Sequence, residues 1–463
     1  MELKGKKVLV VGLGKSGLAA ALFLRKQGAH VTVSDMRSAA ALAKEIPALL
    51  EHGISVESGG HGLLTFRRQD LIVVSPGVPL DTPELVQVKA FGLTVIGELE
   101  LASRFLKGDI VAVTGSNGKT TTTTLLGQIF EDAGGPTQIG GNIGLPVIEL
   151  IAGSTPETVN VLEVSSFQLE TVVEFRPRIA VILNITPDHL DRHGSFQNYV
   201  AAKENIFARQ TAEDALVLNA DDTTTQLCAS HAQQKSGQGP KIYWFSRTKI
   251  VRQGACVVND AIVWIEREGA AAEPILPVSE IPLKGSHNVE NILAAVAAAR
   301  LANVPAESIR KTVANFQAVE HRLEFVAIEN AVDYYNDSKA TNVDASAKAI
   351  AAFPGCIHLI LGGRDKNSNY ADLSDLLRKR VKAVYTIGSA AAKIEQQLRG
   401  IIPIVSCETL DKAVTAARTA AHPGDTVLLS PACSSFDQFE SYEHRGRVFK
   451  ELVLELTSLE RAR

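Results

Sequence analysis

A short glycine-containing loop carries the strongest chemical signal in this sequence. The segment GSNGKT at 115–120 follows a short apolar run and precedes a helical pattern. Such a loop points backbone N–H groups at phosphate oxygens, and the helix N-terminus adds partial positive charge. Lys119 would contact the outer phosphates, and the Thr120 hydroxyl would ligate Mg²⁺. The loop is shorter than the common P-loop, since Val113 stands where that pattern has glycine, so a plain strand–helix turn is the alternative interpretation.

Acidic and imidazole side chains follow two other apolar runs. Glu163 ends the run in VNVLEVSS, and Asp188 and His189 follow the run in ILNITPDH. Parallel α/β sheets bind ligands at the carboxyl ends of their strands, so these side chains are expected on the same edge as the phosphate loop. Carboxylate oxygens suit Mg²⁺, although Glu163 alone could equally be a salt-bridged strand end. From its spacing alone, Lys203 in YVAAKEN is a solvated helical charge.

A second glycine loop stands near the N-terminus. GLGKSG at 12–17 fits G-x-G-x-x-G after a strand, and Asp35 follows about 20 residues later. Taken alone, the pattern is that of an NAD-binding fingerprint. It indicates that a nucleotide or diphosphate docks there and does not indicate hydride transfer. A glycine turn that serves packing only is the alternative.

The strands and helices that must position these residues indicate an α/β chain of three parts. Strand–glycine–helix openings begin near residues 7 and 110, and a third region of alternating strands and helices begins near 319. The alternation predicts doubly wound parallel sheets. Boundaries near residues 103 and 318 divide the chain into three domains, and 463 residues are too many for one ordinary core.

Composition excludes several classes of protein. The formal net charge is −4, from 47 basic and 51 acidic residues, which does not favour a nucleic-acid partner. The five cysteines are scattered and form no CxxC pair, which favours a reducing cytoplasm over a disulfide or zinc scaffold. No run of about 18 apolar residues occurs and the N-terminal run resembles a strand more than a signal peptide, so neither a membrane span nor export is expected.

Together these motifs resemble the Mur ligase family, which builds the peptidoglycan stem peptide. The resemblance spans nearly the whole chain and is carried by the following segments: VTGSNGKTTT, GGNIG (140–144), EVSSFQLE (163–170), NITPDHLDRH (184–193), YVAAKENIF (199–207), GSHNVENILAA (285–295), EHRLE (320–324) and NDSKATN (336–342). Three further stretches resemble the members that add D-glutamate: VGLGKSG with SDMR, LGGRDK (361–366) and SPACSSFDQFESYEHRGRVF (430–449).

This resemblance implies a fold and an activity. The fold would be α/β with a Rossmann-like UDP-substrate domain (1–103), a central P-loop ATPase-like domain (104–318) and a Rossmann-like amino-acid domain (319–463). The protein would be a cytoplasmic monomer that uses ATP and Mg²⁺ to join D-glutamate to UDP-N-acetylmuramoyl-L-alanine through an acyl phosphate. The first glycine loop would then cradle a UDP-sugar diphosphate instead of NAD.

The resemblance also assigns site residues. Catalysis would depend on Lys119, Glu163, His189 and Lys203. Mg²⁺ would be ligated by Thr120, Glu163, His189 and Lys203 as a carbamate. ATP would contact Gly115, Ser116, Asn117, Gly118, Lys119, Thr120, Thr121, Asn288, Arg322 and Asp337. The UDP-substrate would contact Gly14, Lys15, Ser16, Asp35, Met36, Arg37, Ser75, Pro76, Gly77, Asn142 and Ser165. D-Glutamate would contact Lys339, Thr341, Lys366, Ser435 and Phe436, and Arg364 could face either the substrate or solvent.

Other functions fit parts of the sequence. A folylpolyglutamate-type ligase shares the acyl-phosphate chemistry but lacks a UDP-binding domain of this kind. An NAD-dependent dehydrogenase would leave the loop at 115–120 unexplained. A non-catalytic nucleotide-binding module would not need Lys119, Glu163, His189 and Lys203 together.

Overall fold

The computed structural model describes residues 1–234 and 239–461, with side chains as far as Glu455. The polar, glycine-rich stretch around residues 233–240 is interpreted from the sequence as a surface loop, and its residues 235–238 lie outside the described residues. The described chain contains three separate β-sheets of five, nine and six strands. The predicted α/β class is therefore confirmed.

The first sheet is wholly parallel and has the strand order β3-β2-β1-β4-β5. Its strands are β1 (Lys7–Val11), β2 (His30–Asp35), β3 (Ser55–Ser58), β4 (Leu71–Val74) and β5 (Val95–Gly97). Its helices are α1 (Lys15–Lys26), α2 (Ile46–Glu51), α3 (Leu63–Arg67), α4 (Pro83–Ala90) and α5 (Glu98–Ser103). The central strands KVLVV and LIVV are continuous aliphatic runs because helices cover both faces of a parallel sheet.

The second sheet has the order β14-β13-β12-β11-β10-β9-β6-β8-β7. Its strands are β6 (Asp109–Thr114), β7 (Thr137–Gly141), β8 (Val159–Glu163), β9 (Ile179–Ile182), β10 (Ala215–Asn219), β11 (Lys241–Ser246), β12 (Gly254–Val258), β13 (Ala261–Ile265) and β14 (Glu273–Pro277). Its helices are α6 (Lys119–Asp132), α7 (Val147–Leu150), α8 (Ser166–Leu169), α9 (Leu190–His193), α10 (Phe196–Glu204), α11 (Thr223–Gln234), α12 (Ser286–Leu301) and α13 (Ala306–Asn315). Among the described strands of this sheet, β12 continues the parallel order from β11, and the pairs β12–β13 and β13–β14 are antiparallel and extend one end of the sheet.

The third sheet has the order β15-β16-β20-β17-β18-β19 and is parallel except for β15. Its strands are β15 (Glu324–Glu329), β16 (Val332–Asn336), β17 (Ile357–Gly362), β18 (Val381–Ile387), β19 (Ile404–Glu408) and β20 (Thr426–Leu429). Its helices are α14 (Val343–Ala351), α15 (Ser374–Arg380), α16 (Ala391–Gln397), α17 (Leu410–Ala420) and α18 (Tyr442–Arg461). Short 3-10 turns occupy Ile151–Gly153, Asn205–Phe207, Val278–Glu280 and Tyr370–Leu373.

The described residues form two compact units. One contains Met1–Pro277 and Asn291–Val313, and the other contains Val278–Glu290 and Ala314–Arg463. The first two sheets thus share one unit, and the third sheet forms the second. Among the helices described, none combines the length and the apolar character that crossing a membrane requires.

Two buried glutamates of α5 connect the first two sheets. The Glu100 carboxylate accepts hydrogen bonds from the backbone N–H groups of 173–175 and pairs with Arg104 at 2.7 Å. Glu98 accepts one hydrogen bond, from the Ile148 N–H at 2.7 Å, and is only 1% exposed. These contacts tie α5 to the segments that follow β7 and β8.

Candidate active site

The predicted phosphate loop runs from the end of β6 to the start of α6. Gly118 has φ 87°, and a Cβ there would lie 2.1 Å from Oδ1 of Asn291, so only glycine fits the turn. The Lys119 ammonium folds back over the loop and donates to the carbonyl oxygens of Gly115 and Ser116, both at 2.9 Å. The loop therefore has the strand–turn–helix context that phosphate binding requires.

The loop is held in place by the chain that follows β9. The Asn117 N–H donates to Oδ1 of Asn184 at 2.9 Å, and the Asn184 amide donates back to the Asn117 carbonyl at 3.1 Å. The Ser116 hydroxyl donates to the Thr186 carbonyl at 2.8 Å and lies 3.1 Å from the Tyr199 hydroxyl. The segment after β9 and Tyr199 of α10 thus hold the loop in place.

Glu163 sits at the end of β8, beside the phosphate loop. Its Oε2 accepts a hydrogen bond from the Thr120 hydroxyl at 2.8 Å, and its Oε1 accepts one from the Asn142 amide at 2.8 Å. The side chain is almost wholly buried, at 1% exposed. Three residues predicted for metal or substrate contacts therefore form one hydrogen-bonded chain.

Lys203 is a buried amine and not a solvated charge. It lies on α10 at 1% exposure, and its Nζ donates to the Gly115 carbonyl at 2.8 Å and lies 4.6 Å from the centre of the Tyr199 ring. Burial lowers the pKa of Lys203 well below its usual value, the nearby Lys119 ammonium lowers it further, and Asp188 and Glu163 oppose the shift. The interpretation of Lys203 from spacing alone was therefore wrong. The structure places this side chain beside the phosphate loop.

His189 lies on the chain that leaves β9. Its backbone is left-handed, with φ 53°, and its N–H donates to Oδ1 of Asp188 at 2.9 Å. Its ring packs edge-on against Phe167, with 4.9 Å between ring centres, and Nε2 lies 3.7 Å from Oδ2 of Asp188. The side chain keeps 35% of its surface exposed, so this imidazole can reach a ligand.

The donor set around Glu163 fits a hard divalent cation. A hydroxyl oxygen of Thr120 and a buried carboxylate oxygen of Glu163 are already in contact, and oxygen is the ligand type that Mg²⁺ prefers. A protonated Lys203 would oppose a cation, whereas a carbamate on the same nitrogen would add an anionic oxygen. The site thus fits Mg²⁺ provided that Lys203 is modified.

The first glycine loop is closed by Asp35 and Arg37. Oδ2 of Asp35 accepts the Leu13 N–H at 2.7 Å, and the Arg37 guanidinium donates to the Asp35 carboxylate and to the Leu13 carbonyl at 3.0 Å. Burial on its own would raise the pKa of Asp35, but the hydrogen bonds from Arg37 and Leu13 outweigh it and lower that pKa. Asp35 is therefore ionised, and its carboxylate holds the loop through these hydrogen bonds. A Cβ on Gly17 would lie 2.0 Å from the Gly12 carbonyl oxygen, so this close approach needs glycine.

The remaining residues predicted for the UDP-substrate lie in the same unit. The Ser75 hydroxyl donates to the Gly12 carbonyl at 2.7 Å, which joins the segment 75–77 to the glycine loop. Arg192 of α9 donates to the Val78 carbonyl at 2.9 Å, so this segment also borders the chain that carries His189. The solvent-facing members of the set are Gly14, Lys15, Met36, Arg37, Gly77 and Asn142, and the partly buried ones are Ser16, Pro76 and Ser165. Ser165 caps α8 through the N–H of Gln168.

The second unit gathers the residues predicted for D-glutamate at the carboxyl ends of its strands. Lys339 and Thr341 follow β16, and the Lys339 ammonium lies 3.7 Å from the centre of the Tyr442 ring. Lys366 follows β17, while Ser435 and Phe436 follow β20. Ser435 is buried and Phe436 is 65% exposed. Arg364, whose orientation the sequence left open, is exposed.

Predicted nucleotide residues also occur in this unit. Asp337 is buried, and its carboxylate accepts hydrogen bonds from the Ser430 hydroxyl at 2.9 Å and the Leu323 N–H at 3.2 Å. Burial raises the pKa of Asp337 to about 7, although these hydrogen bonds and Arg322 oppose the shift. Asn288, in the first turn of α12, donates to the Lys284 carbonyl at 2.7 Å.

One cluster of possible metal ligands lies apart from the predicted set. Among the described side chains, Glu320, His321 and Glu324 bring three such atoms within 4.8 Å of one another. The Lys450 ammonium already bridges Glu320 at 3.0 Å and Glu324 at 2.6 Å. A lysine therefore supplies the positive charge that this cluster attracts.

Comparisons with known proteins assign the chain to a family. Three family models match it: "Mur ligase MurD-like, N-terminal domain" at residues 6–97, "Mur ligase middle domain" at 113–299 and "Mur ligase, glutamate ligase domain" at 321–433. The UDP-N-acetylmuramoylalanine--D-glutamate ligase of Acidobacterium capsulatum is 69% identical over 454 residues, which cover 98% of this chain and 97% of the relative. The chain belongs to the Mur ligase family.

Other relatives and solved structures agree with this assignment. The like-named ligase of Koribacter versatilis is 56% identical over 461 residues and is covered completely, as is this chain. A pseudomurein peptide ligase type C from Methanothermus fervidus has the same fold, with a TM-score of 0.60 and 21% identity over 98% of this chain and 100% of that one. A UDP-N-acetylmuramate-alanine ligase from Thermotoga maritima has a TM-score of 0.58 and 20% identity over 97% and 99%.

Sequence reasoning missed several residues that shape the site of this Mur ligase. Asn184 and Tyr199 hold the phosphate loop, although both stand inside motifs that the resemblance used. Arg445 is fully buried and donates to the Ser338 and Cys433 carbonyls at 2.8 and 3.1 Å. No spacing rule marks an arginine as buried, so its role emerges only from the tertiary contacts.

Proposed function

We propose that this protein uses ATP to join D-glutamate to UDP-N-acetylmuramoyl-L-alanine through an acyl phosphate. The convergence of Thr120, Glu163 and Lys203 on the phosphate loop supports ATP-dependent activation of a carboxylate. The 69% identity over nearly the whole length to a relative named for D-glutamate supports the choice of substrates.

In the proposed first step, the substrate carboxylate attacks the γ-phosphate of ATP, and ADP leaves. Two anions must approach each other, so positive charge has to be placed between them. Lys119 supplies this charge, because its ammonium already lies against the loop that would hold the phosphates. Gly115, Ser116, Asn117, Gly118, Thr120 and Thr121 line the same turn and are proposed to contact ATP.

Lys203 is proposed to act as a carbamate. A neutral lysine amine attacks CO₂ and releases one proton, which leaves an anionic oxygen pair on the nitrogen. The burial of Lys203 beside the Lys119 ammonium favours this neutral amine over a second ammonium. A Lys203 ammonium would repel a cation that is bound to the phosphates. A carbamate on the same nitrogen would instead offer that cation an anionic oxygen ligand.

Thr120, Glu163, His189 and carbamylated Lys203 are proposed to hold Mg²⁺. The ion supplies charge neutralisation and alignment for phosphoryl oxygens when it is bound. The Thr120–Glu163 hydrogen bond keeps two of these oxygens together in advance, and Asn142 fixes the other Glu163 oxygen. Glu163 therefore needs little reorganisation to receive a cation.

In the proposed second step, the D-glutamate amine attacks the acyl phosphate, and inorganic phosphate leaves. Free α-amino groups lose their proton near pH 8, so activity should rise towards alkaline pH. His189 is a candidate base, although metal ligation would compete with that role. Lys339, Thr341, Lys366, Ser435 and Phe436 are proposed to bind D-glutamate, whose two carboxylates need cations such as the two lysines. Asn288, Arg322 and Asp337 are proposed to contact the nucleotide.

The UDP-substrate is proposed to bind at the first glycine loop. Its contacts would be Gly14, Lys15, Ser16, Asp35, Met36, Arg37, Ser75, Pro76 and Gly77, with Asn142 and Ser165 nearer the reacting carboxylate. The division into domains 1–103, 104–318 and 319–463 also stays a proposal, as do the monomeric state and the cytoplasmic location.

Phosphate release from ATP tests the proposed function. The assay contains UDP-N-acetylmuramoyl-L-alanine and, in parallel, D-glutamate, L-glutamate, L-alanine, L-lysine or meso-diaminopimelate. Release with D-glutamate alone is the expected result. Release with another amino acid would support the ligase chemistry and contradict the residues assigned to the D-glutamate pocket. No release with any of them, or an NAD(H)-dependent absorbance change at 340 nm, would refute the ligase.

A further inference from the structure

A buried tyrosine links two of the loops that carry the predicted D-glutamate residues. The Lys366 loop (363–369) follows β17, and the Ser435 loop (430–441) follows β20, the strand beside it. Tyr370 is wholly buried, and its hydroxyl donates to Oδ1 of Asp365 at 2.8 Å and lies 2.9 Å from Sγ of Cys433. One hydroxyl therefore touches the residue before Lys366 and a residue two before Ser435.

Asp365 is fully engaged by the protein. Its Oδ2 pairs with the Lys393 ammonium at 2.7 Å, and its Oδ1 also accepts the Ser368 N–H at 3.1 Å. Burial alone would raise the pKa of Asp365, but the hydrogen bonds from Lys393 and Tyr370 outweigh it and keep that pKa low. Asp365 is thus an ionised anchor for the backbone next to Lys366.

Cys433 is held just as firmly in the Ser435 loop. Its carbonyl accepts from the buried Arg445 at 3.1 Å, and burial raises the pKa of its thiol to about 12, so the sulfur stays neutral. The backbones of Arg364 and Ser434 also pair in an antiparallel bridge, with N–H to carbonyl distances of 2.8 and 3.1 Å. The bridge joins the two loops at one point, and the Tyr370 hydroxyl joins them at a second.

We propose, resting on the proposed D-glutamate function, that Tyr370 is a positioning residue that sets the separation between Lys366 and Ser435. The distance between the groups that bind the two carboxylates of a substrate sets the length of dicarboxylate that fits between them. The Gly362 N–H also donates to the Pro431 carbonyl at 2.8 Å, but this bond and the bridge lie at residues 362–364, whereas the Tyr370 hydroxyl restrains Asp365, the residue next to Lys366. Tyr370 thereby determines which length of acidic amino acid is accepted.

Steady-state kinetics of the full chain test this proposal. Tyr370→Phe removes the hydroxyl but keeps the ring, and Asp365→Asn weakens the same link from its other side. We expect either change to raise the KM for D-glutamate about five- to tenfold, as the loss of one buried hydrogen bond predicts. The KM for ATP should stay within about twofold, and the preference for D-glutamate over D-aspartate and D-2-aminoadipate should narrow by about fivefold.

Tyr385→Phe is the matched control. The Tyr385 hydroxyl is also buried, lies 2.9 Å from Nδ1 of His358, and belongs to β18 of the same sheet. Its loss should lower Tm comparably and leave the KM for D-glutamate unchanged. An unchanged KM for D-glutamate in both test variants would overturn the proposal, and so would equal changes in all Michaelis constants or in the control.

The proposed function itself is checked before any variant is measured. If wild-type protein shows no D-glutamate-dependent phosphate release, the function fails and this proposal falls with it. If wild-type release is normal and selectivity does not change in the variants, only the role of Tyr370 is refuted.

Discussion

Glu98 makes the stability of this protein depend on pH in a direction that the structure fixes. The carboxyl group is buried between α5 and α7, Oε1 accepts the Ile148 N–H, and Oε2 has no hydrogen-bond partner among the described residues. Burial, reinforced by nearby Glu149, raises the pKa of Glu98 from 4.5 to about 7, and only the Ile148 hydrogen bond opposes it. The folded protein therefore holds this proton over a range in which the unfolded chain has released it.

The size of the effect follows from linkage. Between pH 4.5 and about 7, the folded state binds more protons than the unfolded state, so stability falls as pH rises through this window. At about 1.4 kcal/mol per pKa unit, the loss reaches about 3 kcal/mol above pH 7. The Glu98→Gln side chain cannot ionise and keeps an oxygen for the Ile148 N–H, so the stability of this variant should not show this fall with rising pH.

Thermal or urea unfolding at pH 5 and pH 8, followed by circular dichroism, measures the difference. Relative to that of wild type, the free energy of unfolding of the variant should rise by about 2.5 kcal/mol from pH 5 to pH 8, whatever the difference between them at pH 5. Glu100→Gln on the same helix is the control. It should destabilise at both pH values, because Arg104 and the N–H groups of 173–175 lose their anion. Parallel pH curves for wild type and Glu98→Gln would show that Glu98 is ionised in the folded state.

Two further predictions concern the phosphate loop. Lys203→Ala should lower kcat by at least about a hundredfold, since several kcal/mol of transition-state charge stabilisation depend on the metal that the carbamate would hold. Bicarbonate, formate or acetate should restore part of the activity by replacing the lost oxygens, and full activity without any added anion would contradict the carbamate. Thr120→Val should lower kcat/KM for ATP about tenfold or more and raise the Mg²⁺ concentration needed, because Glu163 loses the hydroxyl bonded to it. Thr123→Val is its control: the Thr123 hydroxyl is buried without a hydrogen-bond partner in the described structure, so this change should leave activity intact and stability equal or higher. Equal loss in both valine variants would refute the assigned role of Thr120.

The prediction of the family from sequence was confirmed because its motifs are local. Each strand, glycine turn and helix start is encoded within a few neighbouring residues, as in GSNGKT between β6 and α6. The central parallel strands were readable as continuous apolar runs. The hairpin strands β12 and β13 were not identified from the sequence, although GACVV and AIVWI are also apolar and largely buried runs.

The placement of side chains was decided by tertiary structure. Lys203 and Gly115 are 88 residues apart in sequence, so the contact that buries the amine depends on how α10 packs against the end of β6. Asp35 completed the spacing of a dinucleotide-binding pattern in the sequence, and in the fold its carboxylate accepts a hydrogen bond from Leu13 of its own glycine loop. Tyr370 carried no sequence signal, and Arg445 stood inside the segment at 430–449 with nothing to mark it as buried. Chemical type is local to a residue, but burial, hydrogen-bond partners and therefore pKa are properties of the packed neighbourhood, which the linear sequence does not display.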